Sequence, residues 1–461
     1  MARKLVEGKT HFTERLERHV LSSRRCGLRG LILVVILALL ARIAFYFVSA
    51  QDYSYKNMAI DGWLQTAQFL VSGGGYSRHL PGIPTARRGP VVVYLFAAIL
   101  WVFGQQSLAI IIAQWIIDAG TCVMLYLLAL ELFNDRRVAF ASSLLFAFYV
   151  PEMTFTLRAW SEPLFTLLLI AFTLSFLRTL RFPVARLFAL TGVLLGLTIL
   201  ARPSMQFYPL VVFILTFWNL GKQWRVAVKG LGILSITLAI VLAPWTIRNY
   251  LVFGHFIPAS TQGGYPLFES NHALGEPDFL RYRVHNESAT VLIKTLEPRI
   301  GPTSDPSGIF LHAWINGMSE YEVERVAQQQ AIQIILAHPD RYVILCLVRF
   351  IRLWFNLGYG TPSSWQSYMV AVANAVLLML ALAAFLFHRG PWVKRAMPLV
   401  AVVAFNTAVY TATQALVRYS MPVMPYVILA AAFTLVKSIP SDWRLAQQPD
   451  STLSKGTEIQ R

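Results

Sequence analysis

Acids are scarce in this chain. It carries 23 Asp and Glu against 40 Lys and Arg, and only 14% of its residues are charged while 56% are apolar. That balance excludes an ordinary string of soluble domains. Apolar runs of 17 or more residues recur along the whole length, which marks several transmembrane helices. Cysteine is equally sparse: Cys26, Cys122 and Cys346 form no spaced pair, so neither a disulfide framework nor a zinc site is supported. There is no P-loop, no G-x-G-x-x-G after a strand, no H-E-x-x-H and no G-x-S-x-G. ATP, nicotinamide, metalloprotease and serine-hydrolase readings lose their usual support.

The formal charge of +17 lies mainly in short loops between apolar runs. There it sets topology and meets anionic head groups. No basic face with interleaved aromatics forms outside the membrane, so no nucleic-acid partner is expected.

The hydropathy pattern predicts spans at 31–49, 107–132, 138–154, 161–178, 187–201, 203–219, 227–244, 367–387, 397–414 and 421–437. Two further apolar stretches, 90–103 and 341–357, could raise ten spans to twelve. Positive-inside counting decides against that. If 90–103 does not cross, the loops "NDRR" (134–137), "RTLRFPVAR" (178–186) and "GKQWRVAVK" (221–229) all face the cytoplasm, with both termini and "HRGPWVKR" (388–395). If it crosses alone, the three internal loops flip outside. Both stretches are therefore expected as interfacial or re-entrant helices on the outer face.

"FVSA" at 47–50 faintly resembles a signal-peptidase site, but the long basic segment before it and Arg42 within the apolar run argue for a retained first span. Gly192 and Gly196 form a G-x-x-x-G suited to close helix packing.

The expected fold class is an all-α polytopic membrane protein, a bundle of about ten helices (range ten to twelve) with interfacial helices in two large outer loops. The expected layout is a cytoplasmic basic tail at 1–30 and an N-terminal transmembrane module at 31–244, with a first outer loop at 50–106. A second outer loop at 245–366, C-terminal helices at 367–437 and a cytoplasmic polar tail at 438–461 follow. No soluble catalytic domain is present, so any chemistry falls to the outer loops and the helix ends beneath them.

Charges gather on that face. Loop one holds Asp52, Asp61, Arg87 and Arg88; the turn near 152–162 holds Glu152, Arg158 and Glu162; Arg202, Arg248 and Arg418 follow other spans. Ionisable groups at a membrane are functional candidates by default, although single arginines also snorkel to head groups. Guanidinium forks bind phosphate through paired charged hydrogen bonds. A carboxylate in a partly dry cavity can accept the proton of an attacking hydroxyl. Together they suit displacement at a carbon bearing a phosphate leaving group.

Several stretches, taken in order, resemble one family. They are "DGWLQTAQFLVSGGGYS" after the first span, "PTARRGPVVVYLFAAILWVFG" (84–104), "RAWSEPLFTLLL" (158–169), "APWTIRNYLVFGHFIPASTQGGYPLFESN" (243–271) and "RYSMPVMPYVILA" (418–430). The chain resembles the GT-C glycosyltransferases, in the branch of protein O-mannosyltransferases and lipid A aminoarabinose transferases, over about residues 31 to 437. The resemblance implies a GT-C-like bundle, a polyprenyl-phosphate sugar as donor, and transfer on the outer face of the plasma (inner) membrane. The acceptor would be a lipid, a glycan or a protein. It implies Asp61 as the catalytic acid of the first loop, acting as general base, Glu162 as the second acidic position, and Arg87 or Arg88 at the donor phosphate. Gly62 stands where the family often pairs a second acid, and Gly89-Pro90 replaces the usual Pro-Pro, so Asp52 stays open as an alternative base.

Trp63, Ala67 and Leu70 share one side of a short helix after Asp61, able to lie on the bilayer, and Asp61 would also serve as an N-cap. "SGGG" would end that helix. Arg248 and Asn249, after Pro244 and Trp245, suit either the donor phosphate and sugar hydroxyls or an interfacial anchor. Arg418 is a further phosphate ligand candidate. Asn271 and His272, in a Gly, Ser, Thr and Asn-rich loop at 259–275 suited to a lid, are candidate sugar contacts. No cofactor or metal is required, although paired acids could recruit a divalent ion.

The expected activity is inverting glycosyl transfer. Its rivals are a transporter or lipid flippase, and a surface-glycan polymerase or ligase. Transporters tend to show two similar halves, and no such symmetry is visible here.

Overall fold

A computed structural model describes residues 29–49, 62–280, 285–302, 308–355, 365–388 and 390–438. Asp52 and Asp61 lie outside the described residues. Within them the chain is all helical, joined by short turns and one isolated bridge between Ser77 and Pro84.

All ten expected spans are helical, although 138–154 is broken into two helices and 203–219 starts with a separate short turn of helix. The first is α1 (Arg29–Val48). Loop one contributes α2 (Trp63–Val71) and α3 (Pro90–Phe103). There follow α4 (Ser107–Phe133), α5 (Arg136–Ala147), α6 (Val150–Thr156), α7 (Glu162–Arg181), α8 (Ala185–Ala201), α9 (Tyr208–Leu220) and α10 (Trp224–Phe253). The second loop folds as α11 (Gly264–Asn271), α12 (His285–Ile300), α13 (Ile309–Ile315), α14 (Glu320–Ala337) and α15 (Pro339–Phe355). The chain closes with α16 (Trp365–Phe387), α17 (Pro391–Arg395), α18 (Met397–Ala412) and α19 (Met424–Ser438). Among the described residues six apolar segments are long enough to cross a membrane, and the bent pairs α5–α6 and α14–α15 meet the same test when each is taken as one span. The protein is an integral membrane protein of the polytopic all-α class.

Local chemistry sets the breaks. Asn134 takes the left-handed conformation that stops α4 (φ 52°), and the Asp135 side chain then caps α5 by accepting from the Arg137 N–H at 2.9 Å. Pro151, in the first turn of α6, helps separate α6 from α5, and the two helices meet at 57°. The helix expected to close at Pro244 continues to Phe253 instead. Trp245, Asn249 and Phe253 recur at helical spacing on one buried face, so packing holds the helix past the proline. Its thirty residues at about 1.5 Å each exceed a hydrocarbon core of about 30 Å. Its last turns therefore rise out of the membrane and carry Arg248 upward.

Gly192 and Gly196 serve the packing read from the sequence. A methyl group on Gly192 would lie 2.5 Å from the Leu234 carbonyl oxygen, and one on Gly196 would lie 2.8 Å from Val241, so α8 and α10 touch backbone to side chain.

Charges also mark one end of the bundle. Glu131 accepts from Arg178 (3.2 Å) and Arg181 (2.9 Å), while Lys437 meets Asp135 at 3.0 Å. The basic loops after α4 and α7 and the end of α19 thus share one end, as positive-inside counting expects. The opposite end carries loop one and a second apolar core, in which Tyr265, Phe268, Leu292, Phe310 and Val323 bring α11, α12, α13 and α14 together.

Candidate functional site

Loop one is held by two carboxylates on α14. The helix opens with a capping box: Ser319 accepts from the Glu322 N–H and Glu322 reaches back to the Ser319 N–H. That start places Glu320 and Glu324, four residues apart, on one face. Glu320 accepts from the Thr85 hydroxyl (2.6 Å), the Ala86 N–H (2.9 Å) and the Thr261 hydroxyl (2.5 Å). Glu324 is ion-paired with Arg87 and accepts from the N–H groups of Gly263 (3.2 Å) and Tyr265 (2.7 Å). Burial pushes the Glu324 carboxyl up, and Arg87 with the two N–H donors opposes that push. Nearby His79 stacks on Phe310, and burial plus the charges of Arg78 and Arg87 lower it to about 4, so it is a neutral ring.

The remaining loop-one residues are fixed from two sides. Arg87 lies over Phe310 at 4.1 Å. Arg88 donates to the Gln262 side chain at 2.9 Å and lies over Trp63. Arg248 donates to the Thr85 carbonyl (2.8 Å) and to Asn249 (3.0 Å), between the rings of Tyr76 and Trp245. The Asn249 amide is buried and donates to Ile257 O at 3.0 Å. Gly89 sits where a methyl group would be 2.0 Å from the Leu200 carbonyl oxygen, so the start of α3 rests on the end of α8. Only glycine fits that approach.

α2 starts after Gly62, whose φ of 79° suits glycine, and ends in glycines, as expected: the Gly74 N–H bonds to Phe69 O at 2.7 Å. Its apolar face differs from expectation. Trp63, Leu64 and Ala67 are buried against protein, with α3 beneath them, rather than offered to lipid.

The second set of charges lies beside that contact. Glu162 opens α7 and is 2% exposed. Arg202, the residue that ends α8, comes within 3.4 Å of it, and Arg418 within 3.8 Å. Aromatic rings wall the site: Arg202 lies over Tyr419 (4.8 Å), Phe165 and Tyr410, and Arg418 over Trp160 (5.0 Å) and Tyr419. The Asn406 amide donates to Tyr419 O at 2.9 Å, steadying the turn that carries Arg418. Two guanidiniums converge on one buried carboxylate in an aromatic, largely dry setting. Such a set suits a phosphate or phosphodiester, which guanidinium forks bind through charged hydrogen bonds.

The structure therefore unites Glu162 and Arg418, and it ties Arg87, Arg88, Arg248 and Asn249 into the loop-one platform. Asn271 and His272 lie elsewhere in the second loop. The Asn271 amide donates to Leu267 O (2.7 Å) and its oxygen accepts from Arg349 (3.1 Å), while His272 Nδ1 is 2.9 Å from Glu269 O. The glycine-rich stretch expected as a lid is pinned instead, since a methyl group on Gly264 would lie 1.8 Å from the Glu324 carbonyl oxygen. Sequence reasoning noted Arg202 only among the surface charges, and it passed over Glu320 and Glu324. The S-x-x-E box at 319–322 followed by acids four apart was the available signal.

Below this end an apolar cavity of about 820 Å³ opens between α15, α16, α18 and α19, with Tyr342, Trp354, Thr407, Thr411 and Tyr426 in its wall. It shares α18 with Tyr410 of the charged site.

Residues 87–255 match the protein family described as dolichyl-phosphate-mannose-protein mannosyltransferase. The match runs from the loop-one arginines through α10 and takes in Glu162 and Arg202. It falls within the resemblance read from the sequence and covers less than half of the chain. No curated protein matches the chain by sequence. Among solved structures the chain is similar to ArnT from Cupriavidus metallidurans bound to undecaprenyl phosphate, at 13% identity and a TM-score of 0.39, over 88% of this chain and 77% of that one. It is also similar to the Archaeoglobus fulgidus oligosaccharyltransferase tethered to an acceptor peptide, at 13% identity and a TM-score of 0.42. That match covers 91% of this chain and 51% of the other, so the chain spans about half its length.

Proposed function

We propose that this protein is an integral membrane glycosyltransferase that moves a sugar from a polyprenyl-phosphate donor to an acceptor hydroxyl on the outer face of the plasma membrane, with both termini cytoplasmic. The observation that carries the reading is the convergence of two guanidiniums, Arg202 and Arg418, on the one buried carboxylate of Glu162 between aromatic walls. The donor phosphate binds there, Glu162 spaces the two guanidiniums, and the apolar cavity nearby takes isoprenoid chain. The family match over residues 87–255 supports the same reaction class.

In the reaction the acceptor oxygen bonds to the anomeric carbon as the bond from that carbon to the phosphate oxygen breaks. The electron pair leaves on the phosphate, where Arg202 and Arg418 stabilise the developing charge. Asp61 takes the proton of the acceptor hydroxyl. A single in-line attack inverts the anomeric configuration.

The test is transfer of labelled sugar from a panel of polyprenyl-phosphate sugars in membranes containing the protein, beside Asp61→Asn at equal folded level. Transfer by the parent and a loss of about 10²- to 10⁴-fold in the variant is the expected result. Transfer that survives the change moves the base, with Asp52 next. No transfer from any donor overturns the reading in favour of a transporter.

A further inference from the structure

Glu152 stands apart from the phosphate site, and among the described residues it is the one buried carboxyl group with neither oxygen hydrogen-bonded. It is fully buried, the third residue of α6 beyond the break from α5, and neither carboxyl oxygen has a hydrogen-bond partner. Its surroundings come from three other helices. From α1, Arg42 donates through Nε to Asp118 Oδ2 at 2.5 Å and through Nη1 to the carbonyls of Ala38 (2.9 Å) and Ala147 (2.6 Å). Ala147 is the last residue of α5, so Arg42 occupies a carbonyl that the break sets free. From α4, Asp118 spends Oδ2 on Arg42 and leaves Oδ1 without a partner, and Cys122 lies on the same side. From α7, Glu162 is within electrostatic reach. Tyr149, just before α6, turns its hydroxyl away to Asn374 at 2.7 Å.

The charges do not balance. Arg42 cannot give up its proton, and it faces two carboxyl groups, all three side chains with no exposure to solvent. Asp118 has the guanidinium; Glu152 has no donor at all. An uncompensated buried carboxylate costs several kcal/mol, and each unsatisfied buried group calls for an explanation. A bound metal cation is a poor answer, because hard cations take about six oxygen ligands and only the two Glu152 oxygens and Asp118 Oδ1 are open.

We propose that Glu152 is a proton-binding site: in the resting protein it is a neutral carboxylic acid, set beside an ionised Asp118–Arg42 pair at the break between α5 and α6. The proton keeps a second negative charge away from Glu162. Loss of that proton adds one, and weakens anion binding between Arg202 and Arg418. This last consequence rests on the phosphate reading above; the proton site itself does not.

The experiment is infrared difference spectroscopy of the full-length protein in lipid nanodiscs, comparing parent with Glu152→Gln and with Asp118→Asn, alongside thermal midpoints. The expected result is loss of one protonated-carboxyl carbonyl band in Glu152→Gln and its weakening in Asp118→Asn, where Arg42 is left facing Glu152 alone and draws it toward the carboxylate. The Glu152→Gln midpoint should stay within about 2 °C of the parent, since the amide mimics the neutral acid. Glu152→Asp is a second variant that shifts the band rather than removing it. No band change in either Glu152 variant overturns the proposal, and so does a midpoint that rises with sodium when choline is exchanged at constant ionic strength. Polyprenyl phosphate binding measured against pH separates the two readings. A decline at alkaline pH that Glu152→Gln abolishes supports the coupling, and a binding curve of the same shape in both proteins overturns it. No binding at any pH, with the carbonyl band present, overturns the phosphate reading and leaves the proton site standing.

Discussion

Glu320 and Glu324 are as deeply buried as Glu162, at 6%, 3% and 2% exposure, yet the two settings differ in what is left over. The α14 carboxylates are well partnered: six donors, three to each and one of them Arg87, point at them from loop one and from residues 261–265. Glu162 receives its own neighbour Ser161 at 3.3 Å and two guanidiniums at longer reach. A carboxylate that already accepts three of about four possible hydrogen bonds has little capacity left for a ligand, so the first set reads as scaffold. The second set brings two guanidiniums to one carboxylate at longer reach between aromatic walls, the setting in which the proposed anion would gain most. On the proposed function, the comparison separates arginines that hold the fold from arginines that would hold a substrate.

Removing a scaffold arginine should have the largest effect. Arg87→Ala leaves Glu324 buried without its ion partner, a loss of about 3–5 kcal/mol that a thermal or denaturant midpoint in detergent will report. Unchanged stability with lost transfer would instead place Arg87 in the substrate site and erase the distinction.

Next comes the substrate side. Arg202→Gln should lower transfer from a polyprenyl-phosphate sugar by about 10²- to 10³-fold while the protein still purifies folded. Initial rates at saturating and limiting donor give the split between kcat and KM. Full activity in this variant would sink the assignment of the loose set as the phosphate site.

A gentler probe is Thr261→Val, which deletes one of three donors to Glu320. About 1 kcal/mol of stability should go, with turnover per folded molecule retained. Lost turnover without lost stability would show that the α14 contact does more than hold loop one.

The smallest effect concerns acid. His79 has its folded value lowered to about 4 from an ordinary 6.5. The unfolded chain therefore binds a proton that the native state refuses, and stability falls as pH drops from about 6.5 toward 4, with no change above that window. His79→Phe keeps the stacking on Phe310 and should flatten the thermal midpoint across the same range.

How much of this was legible depended on whether the signal was local. The G-x-x-x-G at 192–196 and the acid-proline start at Glu162 read correctly because each is a property of one segment. The extension of α10 past Pro244 did not, since a proline is a local stop that Trp245, Asn249 and Phe253 overrule by packing. Asn271 looked like a sugar ligand in a flexible loop, and it is engaged by Arg349 from 78 residues away.

By itself the sequence determined that this chain lies in a membrane, where its helices run and which end collects the basic loops. Apolar length and the cost of moving charge across lipid act on each segment separately, so no neighbour is needed to read them. Only the tertiary structure decided which arginine meets which acid. Arg87 and Glu324 are 237 residues apart, and Glu162 is reached from Arg202 and Arg418 on opposite sides in the sequence. A guanidinium becomes scaffold or ligand site by the number of donors and acceptors that packing brings within about 3 Å of it, and no pattern along the chain records that number.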